Sequence, residues 1–130
     1  MKRLLFERWN WEYDHGIRQV NSVDNLPPRY CEVFVDVAGR LCRVILHEVH
    51  PGGGPSVVAI YDYFCDAKGV VIQKRSYSDD GTPDLVIDYV VDGDWITETA
   101  LSGADEKPRS IRRRIQVHPN YGASNDTVSD

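Results

Sequence analysis

Long apolar runs are absent from this 130-residue sequence. No stretch approaches the roughly 20 apolar residues of a membrane-spanning helix. The first residues, MKRLLFERWNWEYD, contain Glu7, Arg8 and Glu12 where a secretory signal needs an uninterrupted apolar segment. We therefore expect a cytoplasmic protein that has no membrane partner.

Cysteine and histidine are also scarce. Cys31, Cys42 and Cys65 form no CxxC pair, so the sequence supports neither a disulfide framework nor a zinc site. His47 and His50 are three residues apart in a β-rich segment. The HExxH zinc motif instead places its two histidines four residues apart on a helix. We expect reduced cysteines, no metal and no cofactor.

Familiar catalytic motifs are missing as well. The sequence has no GxSxG nucleophile motif, and none of its cysteines has a neighbour in sequence that suggests activation. The glycine-rich stretch 50–56, HPGGGPS, lacks the Lys-Ser/Thr of a phosphate-binding loop and predicts an exposed hairpin connection. The sequence favours a non-enzymatic protein. An enzyme whose catalytic residues meet only in the fold is the alternative.

Positive charge is in deficit overall. Fifteen basic and twenty acidic residues give a net charge of −5, which makes nucleic acid an unlikely general partner because phosphate repels an acidic surface. The length and an apolar content of 42% suit one compact domain. We expect this domain to span residues 1–117, followed by a flexible polar tail at 118–130.

What the chain has in abundance is alternation of apolar and polar residues with a period of two, which is typical of β-strands. We expect a mainly β, single-domain antiparallel meander of six to eight strands, forming a curved sheet or partial barrel with at most one short helix. The strands predicted for its central part are Tyr30–Val37, Arg40–Val49, Ser56–Cys65, Val70–Ser78, Leu85–Val91 and Trp95–Leu101.

One turn pattern, FxDxxG, occurs twice, at residues 34–39 and 64–69. Asp opens type I turns by accepting backbone N–H groups, and Gly adopts the left-handed backbone that ends them. A weaker third copy is predicted at Tyr77, Asp79 and Gly81, and Asp92 with Gly93 supplies a fourth turn. Each pattern predicts a β-hairpin.

The two strongest copies resemble single units of the tyrosine-aspartate repeats of bacterial Rhs and teneurin shells. The segments are FVDVAGRLCRVIL at 34–46 and YFCDAKGVVIQKRSY at 63–77. In those shells Asp and Gly also precede an outgoing strand, but the shells contain many more copies than this chain. The resemblance implies antiparallel hairpins and not membership of that family.

The N-terminal segment has two possible structures. Leu4 and Phe6 alternate in one register and Trp9, Trp11 and Tyr13 in the other, which predicts a strand whose exposed face changes near Arg8. An amphipathic helix is the alternative. Farther along, Ile17, Val20 and Val23 recur every third residue and predict a short helix that ends before Pro27.

The hairpin at residues 92–94 carries the best candidates for catalytic or ligand-binding residues. A three-residue loop would place Asp88 opposite Glu98, and two facing carboxylates could form an acid/base pair; a two-residue Asp-Gly loop would place Asp88 opposite Thr97 instead. A ligand pocket with these groups is one hypothesis. Its predicted residues are Tyr61, Tyr63, Asp88, Tyr89, Trp95 and Glu98.

The hypothesis that we favour is a small acidic protein-binding module, of the accessory or inhibitor type, that acts through a sheet surface. Five basic residues lie within 107–114, and they could neutralise the acidic segment 79–94, contact another protein or, less in keeping with the net charge, bind RNA or DNA. Large aromatic residues are frequent both in interfaces and in small cores. An unprotected edge strand could also form a homodimer. The predicted partner-binding residues are Trp9, Trp11, Tyr13, Arg112, Arg113 and Arg114.

Overall fold

The computed structural model describes residues 1–11, 14–102 and 109–114. These residues form nine β-strands and one short 3₁₀ turn at Val23–Asn25. None of the helices among them is long and apolar enough to cross a membrane. The strands are β1 (Lys2–Asn10), β2 (His15–Val20), β3 (Arg29–Val35), β4 (Leu41–Val49), β5 (Pro55–Cys65), β6 (Val71–Ser78), β7 (Pro83–Asp92), β8 (Trp95–Ser102) and β9 (Arg109–Arg114).

All nine strands belong to one open antiparallel sheet with the order β2-β1-β3-β4-β5-β6-β7-β8-β9. The prediction of an antiparallel meander is confirmed, although there are nine strands and not six to eight. The N-terminal segment is a strand and not a helix. The short helix expected from Ile17 and Val20 is wrong, because these residues belong to β2 and only Val23–Asn25 is helical.

The FxDxxG turns form as their sequence predicts. Asp36 Oδ1 accepts the backbone N–H groups of Ala38 and Arg40 at 2.9 Å, and Asp66 Oδ1 accepts those of Lys68 and Val70 at 2.9 and 3.0 Å. Gly39 and Gly69 end the two turns with φ of 81° and 84°. Each turn follows a β-bulge, and the Arg40 side chain of the first donates to the Ala67 carbonyl of the second.

The third copy of the turn begins one residue earlier than predicted. The N–H of Gly81 donates to the carbonyl of Ser78, the bond that Gly39 and Gly69 make to Asp36 and Asp66. Ser78 therefore holds the position of the turn-opening aspartate, and Asp79 does not. The carboxylate acceptor in this loop is instead Asp80, whose Oδ1 accepts the backbone N–H of Thr82 at 2.9 Å.

The two faces of the sheet differ in composition. Leu4, Val33, Val44 and Tyr61 are successive partners across four strands and define the inner face, which carries the core. The opposite side is the outer face, where Arg43 pairs with Asp62. Because side chains alternate along a strand, this register fixes the face of each following residue.

The inner face is closed by curvature of the sheet. In a flat sheet β1 and β5 would be three strand spacings, roughly 14 Å, apart. The rings of Trp9 and Tyr63 nevertheless lie with their centroids 6.4 Å apart. The β1–β2 hairpin therefore curls over the inner face. The predicted change of face in β1 is part of this arrangement, since Leu4, Phe6 and Trp9 all join the core.

Candidate functional site

The predicted pair of carboxylates does not form. Asp88 pairs with Thr99 and Tyr89 pairs with Glu98, so Asp88 and Glu98 lie on opposite faces of the sheet. Both of the registers considered above are wrong, because the hairpin closes at Asp92 and Trp95 with only two residues between them. The first of these, Gly93, has φ of 59°, as a type II′ turn requires.

Asp88 instead belongs to a polar chain on the outer face. Its Oδ1 accepts the side-chain N–H of Gln73 at 2.7 Å, and Gln73 Oε1 accepts the Nε–H of Arg75 at 2.8 Å. These bonds connect β7 with β6 across the directly paired residues Gln73 and Asp88. The carboxylate has a structural hydrogen bond here and no second carboxylate opposite it.

The aromatic residues predicted as walls of one pocket are divided between the faces. Tyr61, Tyr63 and Tyr89 belong to the inner face. Trp95 belongs to the outer face, because it pairs with Asp92, an even number of residues from Asp88. The sheet thus separates Trp95 from the three tyrosines.

The inner face brings together two groups of aromatic residues that the sequence keeps far apart. Trp11 contacts Tyr61 with ring centroids 4.5 Å apart, and Trp9 lies 6.4 Å from both Trp11 and Tyr63. Trp9 is 6% exposed and Trp11 is 41% exposed. Trp9 is therefore a core residue, whereas Trp11 lies at the solvent-exposed edge of this inner-face cluster. Tyr13, which was predicted beside them, lies outside the described residues.

A buried ion pair completes this cluster. Lys74 Nζ lies 3.5 Å from Asp14 Oδ1, and the side chains are 10% and 2% exposed. The ammonium group is also within 6 Å of the ring centroids of Trp11, Tyr61 and Tyr63, an arrangement that favours a cation. Asp14 comes from the turn after β1 and Lys74 from β6, so the pair fastens the curled hairpin to the sheet.

Tyr63 takes part in the same contact. Its hydroxyl donates to Asp14 Oδ1 at 2.8 Å. Burial raises the pKa of Tyr63 far above its ordinary value, and the negative charge of Asp14 raises it further. The phenol therefore stays protonated and serves as a hydrogen-bond donor. Sequence inspection missed Asp14 and Lys74, because the only local signal is an aspartate in a turn.

On the outer face, Glu32 is the centre of a second charged group. It accepts from Arg3 Nε at 2.6 Å and lies 3.1 Å from His47 Nε2. The hydrogen bond with His47 lowers the pKa of Glu32; burial opposes this shift and the charge of Arg3 supports it. The His47 ring also stacks on Tyr30, with centroids 4.8 Å apart. This group links β1, β3 and β4.

The basic C-terminal strand, β9, places an exposed arginine against a tryptophan ring. The Arg112 guanidinium lies 4.8 Å from the ring centroid of Trp95 and the Arg112 side chain is exposed. Within the described part of the chain, no carboxylate forms an ion pair with Arg112, so the predicted neutralisation by the acidic segment is not seen at this residue. The backbones of Arg113 and Arg114 pair with Ile96 and Trp95.

The cysteines are free thiols, and their surroundings determine their protonation state. All three cysteines are free. Burial raises the pKa of Cys31 and of Cys65 to about 11, and it raises that of Cys42 as well, so these thiols are protonated at neutral pH. No group of three His, Cys, Asp or Glu side chains in residues 1–11, 14–102 and 109–114 could hold a metal ion.

Comparison of the chain with protein-family models, with curated proteins and with solved structures found no match.

Proposed function

We propose that this protein is a small, non-enzymatic binding module whose β8–β9 end binds an acidic, extended segment of another protein. The observation that carries the proposal is the stacking of exposed Arg112 on Trp95, 38% exposed, with no ion pair to Arg112 in the described chain. Tryptophan and arginine are the residue types most often found at energetic hot spots of protein interfaces.

The stacking prepares the guanidinium for a ligand. Arg112 and Trp95 are diagonal neighbours on β9 and β8, because Arg112 pairs with Thr97 and Trp95 pairs with Arg114. Contact with the ring restricts the long arginine side chain, and no described residue accepts a hydrogen bond from its side-chain N–H groups. A planar guanidinium that is already oriented can bind a carboxylate through two parallel hydrogen bonds at a smaller entropic cost.

The position of β9 in the sheet supports an extended partner. In the described chain β9 has one neighbouring strand, β8. An edge strand presents backbone N–H and C=O groups that an added strand can pair with. The sequence of β9, RSIRRR, disfavours pairing with a second copy of itself because like charges would face each other. An acidic segment would complement it.

Negative charge nearby disfavours a nucleic acid at this position. Asp88 and Asp92 lie on the outer face of β7, two strands from β9. A long polyphosphate chain that crossed the sheet would meet these carboxylates, whereas a short strand added beyond β9 would not. The net charge of −5 acts in the same direction.

The experiment compares four tagged proteins recovered from the native host in mild salt: wild type, Arg112→Glu, Trp95→Ala and the control Arg75→Glu. Arg75 stacks on Phe64 at 5.1 Å on the same face and so provides a matched arginine–aromatic pair away from β9. Mass spectrometry identifies the recovered proteins. Each candidate is then purified and titrated against the four proteins with and without nuclease treatment.

We expect one acidic partner in near-equal amount, with affinity reduced about tenfold or more by Arg112→Glu and Trp95→Ala, the equivalent of one charge-assisted hydrogen bond. Arg75→Glu should leave the affinity unchanged. Equal binding by all four proteins would contradict the proposal, as would recovery of the protein without a stoichiometric partner. Loss of binding after nuclease treatment would indicate a nucleic acid instead.

A further inference from the structure

The sheet splits at one point, between β1 and β3. The two strands are paired from Lys2 to Phe6, where Phe6 faces Cys31. β1 nevertheless continues to pair with β2 as far as Asn10 and His15. After Phe6, therefore, β1 leaves β3 and follows the curled hairpin. A gap opens between the end of β1 and the neighbouring ends of β3, β4 and β5.

This gap contains a pocket of about 380 Å³, which we call the fork pocket. Its volume falls in the lower part of the range of small-molecule sites. It is distinct from the Trp95 surface, because Trp95 does not line it. Three of its lining residues are buried side chains, Trp9, Tyr30 and Cys31, and they are 6%, 7% and 4% exposed.

The buried walls suit a flat apolar group. Trp9 supplies a large ring that is fixed by its contacts with Phe6 and Tyr63. The Tyr30 ring is fixed by stacking on His47, with only 14° between the two planes. Rigid aromatic surfaces bind aromatic groups at a small cost in conformational entropy. A ring that enters the pocket would contact these walls and displace water from them.

The charged residues of the fork pocket differ in whether they have an ion-pair partner. Glu7 lies 3.7 Å from Arg18, and Glu48 lies 3.8 Å from Arg29, so each carboxylate has a cation close to it. Arg8 also lines the pocket, and its exposed side chain has no hydrogen bond or ion pair with any described residue. The charge available to a ligand is therefore positive.

We propose that the fork pocket binds a small aromatic carboxylate, with its ring against Trp9 and Tyr30 and its carboxylate on Arg8. A cationic ligand would have to displace Arg18 or Arg29 from an existing ion pair. A neutral ring would use the walls but leave the guanidinium without a partner. This site goes beyond the protein-binding function proposed above and does not depend on it.

The test uses 2-naphthoate as the probe. Two analogues with the same ring system are compared with it: 2-naphthamide, which is neutral, and 2-naphthylmethylammonium, which is cationic. Binding to the whole chain is measured by calorimetry and by NMR of the tryptophan indole N–H signals. Trp9 and Trp11 line the pocket, whereas Trp95 lies elsewhere and provides an internal control. The variants are Arg8→Gln and the matched control Arg75→Gln.

We expect naphthoate to shift the signals of Trp9 and Trp11 and not that of Trp95, and to bind at least tenfold more tightly than the amide or the ammonium analogue. Arg8→Gln should remove most of the preference for the acid over the amide, while Arg75→Gln should preserve it. The comparison of the three probes on wild-type protein remains decisive even if a variant folds poorly.

The proposal is overturned if about 5 mM naphthoate shifts neither Trp9 nor Trp11, a concentration that reveals millimolar affinity. It is also overturned if the three probes bind equally, or if both arginine variants lose the same affinity. Because neither Trp95 nor Arg112 takes part, failure here leaves the protein-binding proposal intact, and failure of that proposal leaves the fork pocket to be judged on its own results.

Discussion

The first six strands and the last three differ in how they are buried, although they belong to one sheet. We call β1–β6 the body and β7–β9 the arm. The largest fully buried side chains of the described residues, none more than 2% exposed, are Leu4, Leu5, Val33, Val35, Val44, Val71 and Asp14. None of them belongs to the arm. Among the described side chains of the arm only Tyr89 and Ile96 are buried.

Curvature accounts for the difference. The β1–β2 hairpin folds back on the inner face of the body and supplies a second layer, including Trp9 against Tyr63. The inner face of the arm has less cover in the described chain, since Val91, on the same face as Tyr89, is 43% exposed. We infer that the body provides most of the stability, whereas the proposed binding surface lies on the arm.

The largest effect is expected from Asp14→Ala, which would leave the Lys74 ammonium buried without its carboxylate. Loss of one partner from a buried pair costs about 3–5 kcal/mol of unfolding free energy. Asp14→Asn should cost less, because asparagine tolerates the φ of 50° and can still accept from Tyr63. Urea denaturation measures both.

The matched control for this ion pair is Asp62→Ala. Asp62 contacts Arg43 at 2.6 Å, but the Arg43 side chain is 49% exposed. Exposed pairs contribute about 1 kcal/mol or less, so this variant should stay close to wild type. Equal losses for Asp14→Ala and Asp62→Ala would mean that the hairpin is not fastened by its buried charge.

A matched pair of valines tests the difference between body and arm directly. Val33→Ala removes methyl groups from a side chain that is 0% exposed and should cost about 2–3 kcal/mol of unfolding free energy. Val91→Ala removes the same atoms from a position on the inner face of β7 that is 43% exposed, and should change stability by less than about 1 kcal/mol. Similar losses in chemical denaturation would refute the division.

Gly16→Ala tests how closely the hairpin packs on itself. A Cβ atom at Gly16 would overlap the Phe6 ring, which is 6% exposed and cannot leave the core. Overpacking of this kind should cost about 1–2 kcal/mol. Gly54→Ala is the control, because a Cβ there would meet no heavy atom within 4 Å. Thermal denaturation of the two variants gives the comparison.

The sequence predicts what is local and misses what depends on distant contacts. Turn chemistry at Asp36 and Asp66 acts over four residues, so the hairpins and the meander could be predicted. The register of the hairpin at Gly93 could not be predicted, because loops of two and of three residues differ little in sequence but give different strand registers. The sequence predicts Arg112 and Trp95 each as a site residue, but their stacking depends on this register.

The same distinction holds for the inner face. Asp14 and Tyr63 are 49 residues apart in sequence and meet only because the first hairpin curls over the inner face as far as β5. Periodicity specifies which residues share a face of one strand, but not how strongly a sheet bends. The fork pocket was missed for that reason, because it exists only where β1 leaves β3.

The smallest effect is expected at Glu32, on the outer face of the body. Its pKa in the folded protein is lowered, first by the hydrogen bond with His47, so folding favours the ionised carboxylate. The resulting stability is complete above the unfolded-state pKa, about 4.3, and is lost as the pH falls through the lower folded-state pKa. Glu32→Gln should therefore lower the unfolding free energy at neutral pH by about 1 kcal/mol or less.

The sign of this contribution is measured by the difference between wild type and Glu32→Gln from about pH 6 to about pH 2. The other carboxylates titrate in both proteins and cancel, so the difference should be largest near neutral pH and shrink in acid. A constant difference would mean that Glu32 contributes through packing alone. A difference that grows in acid would mean that Arg3 and His47 do not favour the charge of Glu32, and that this charged group does not stabilise the body through its ionised carboxylate.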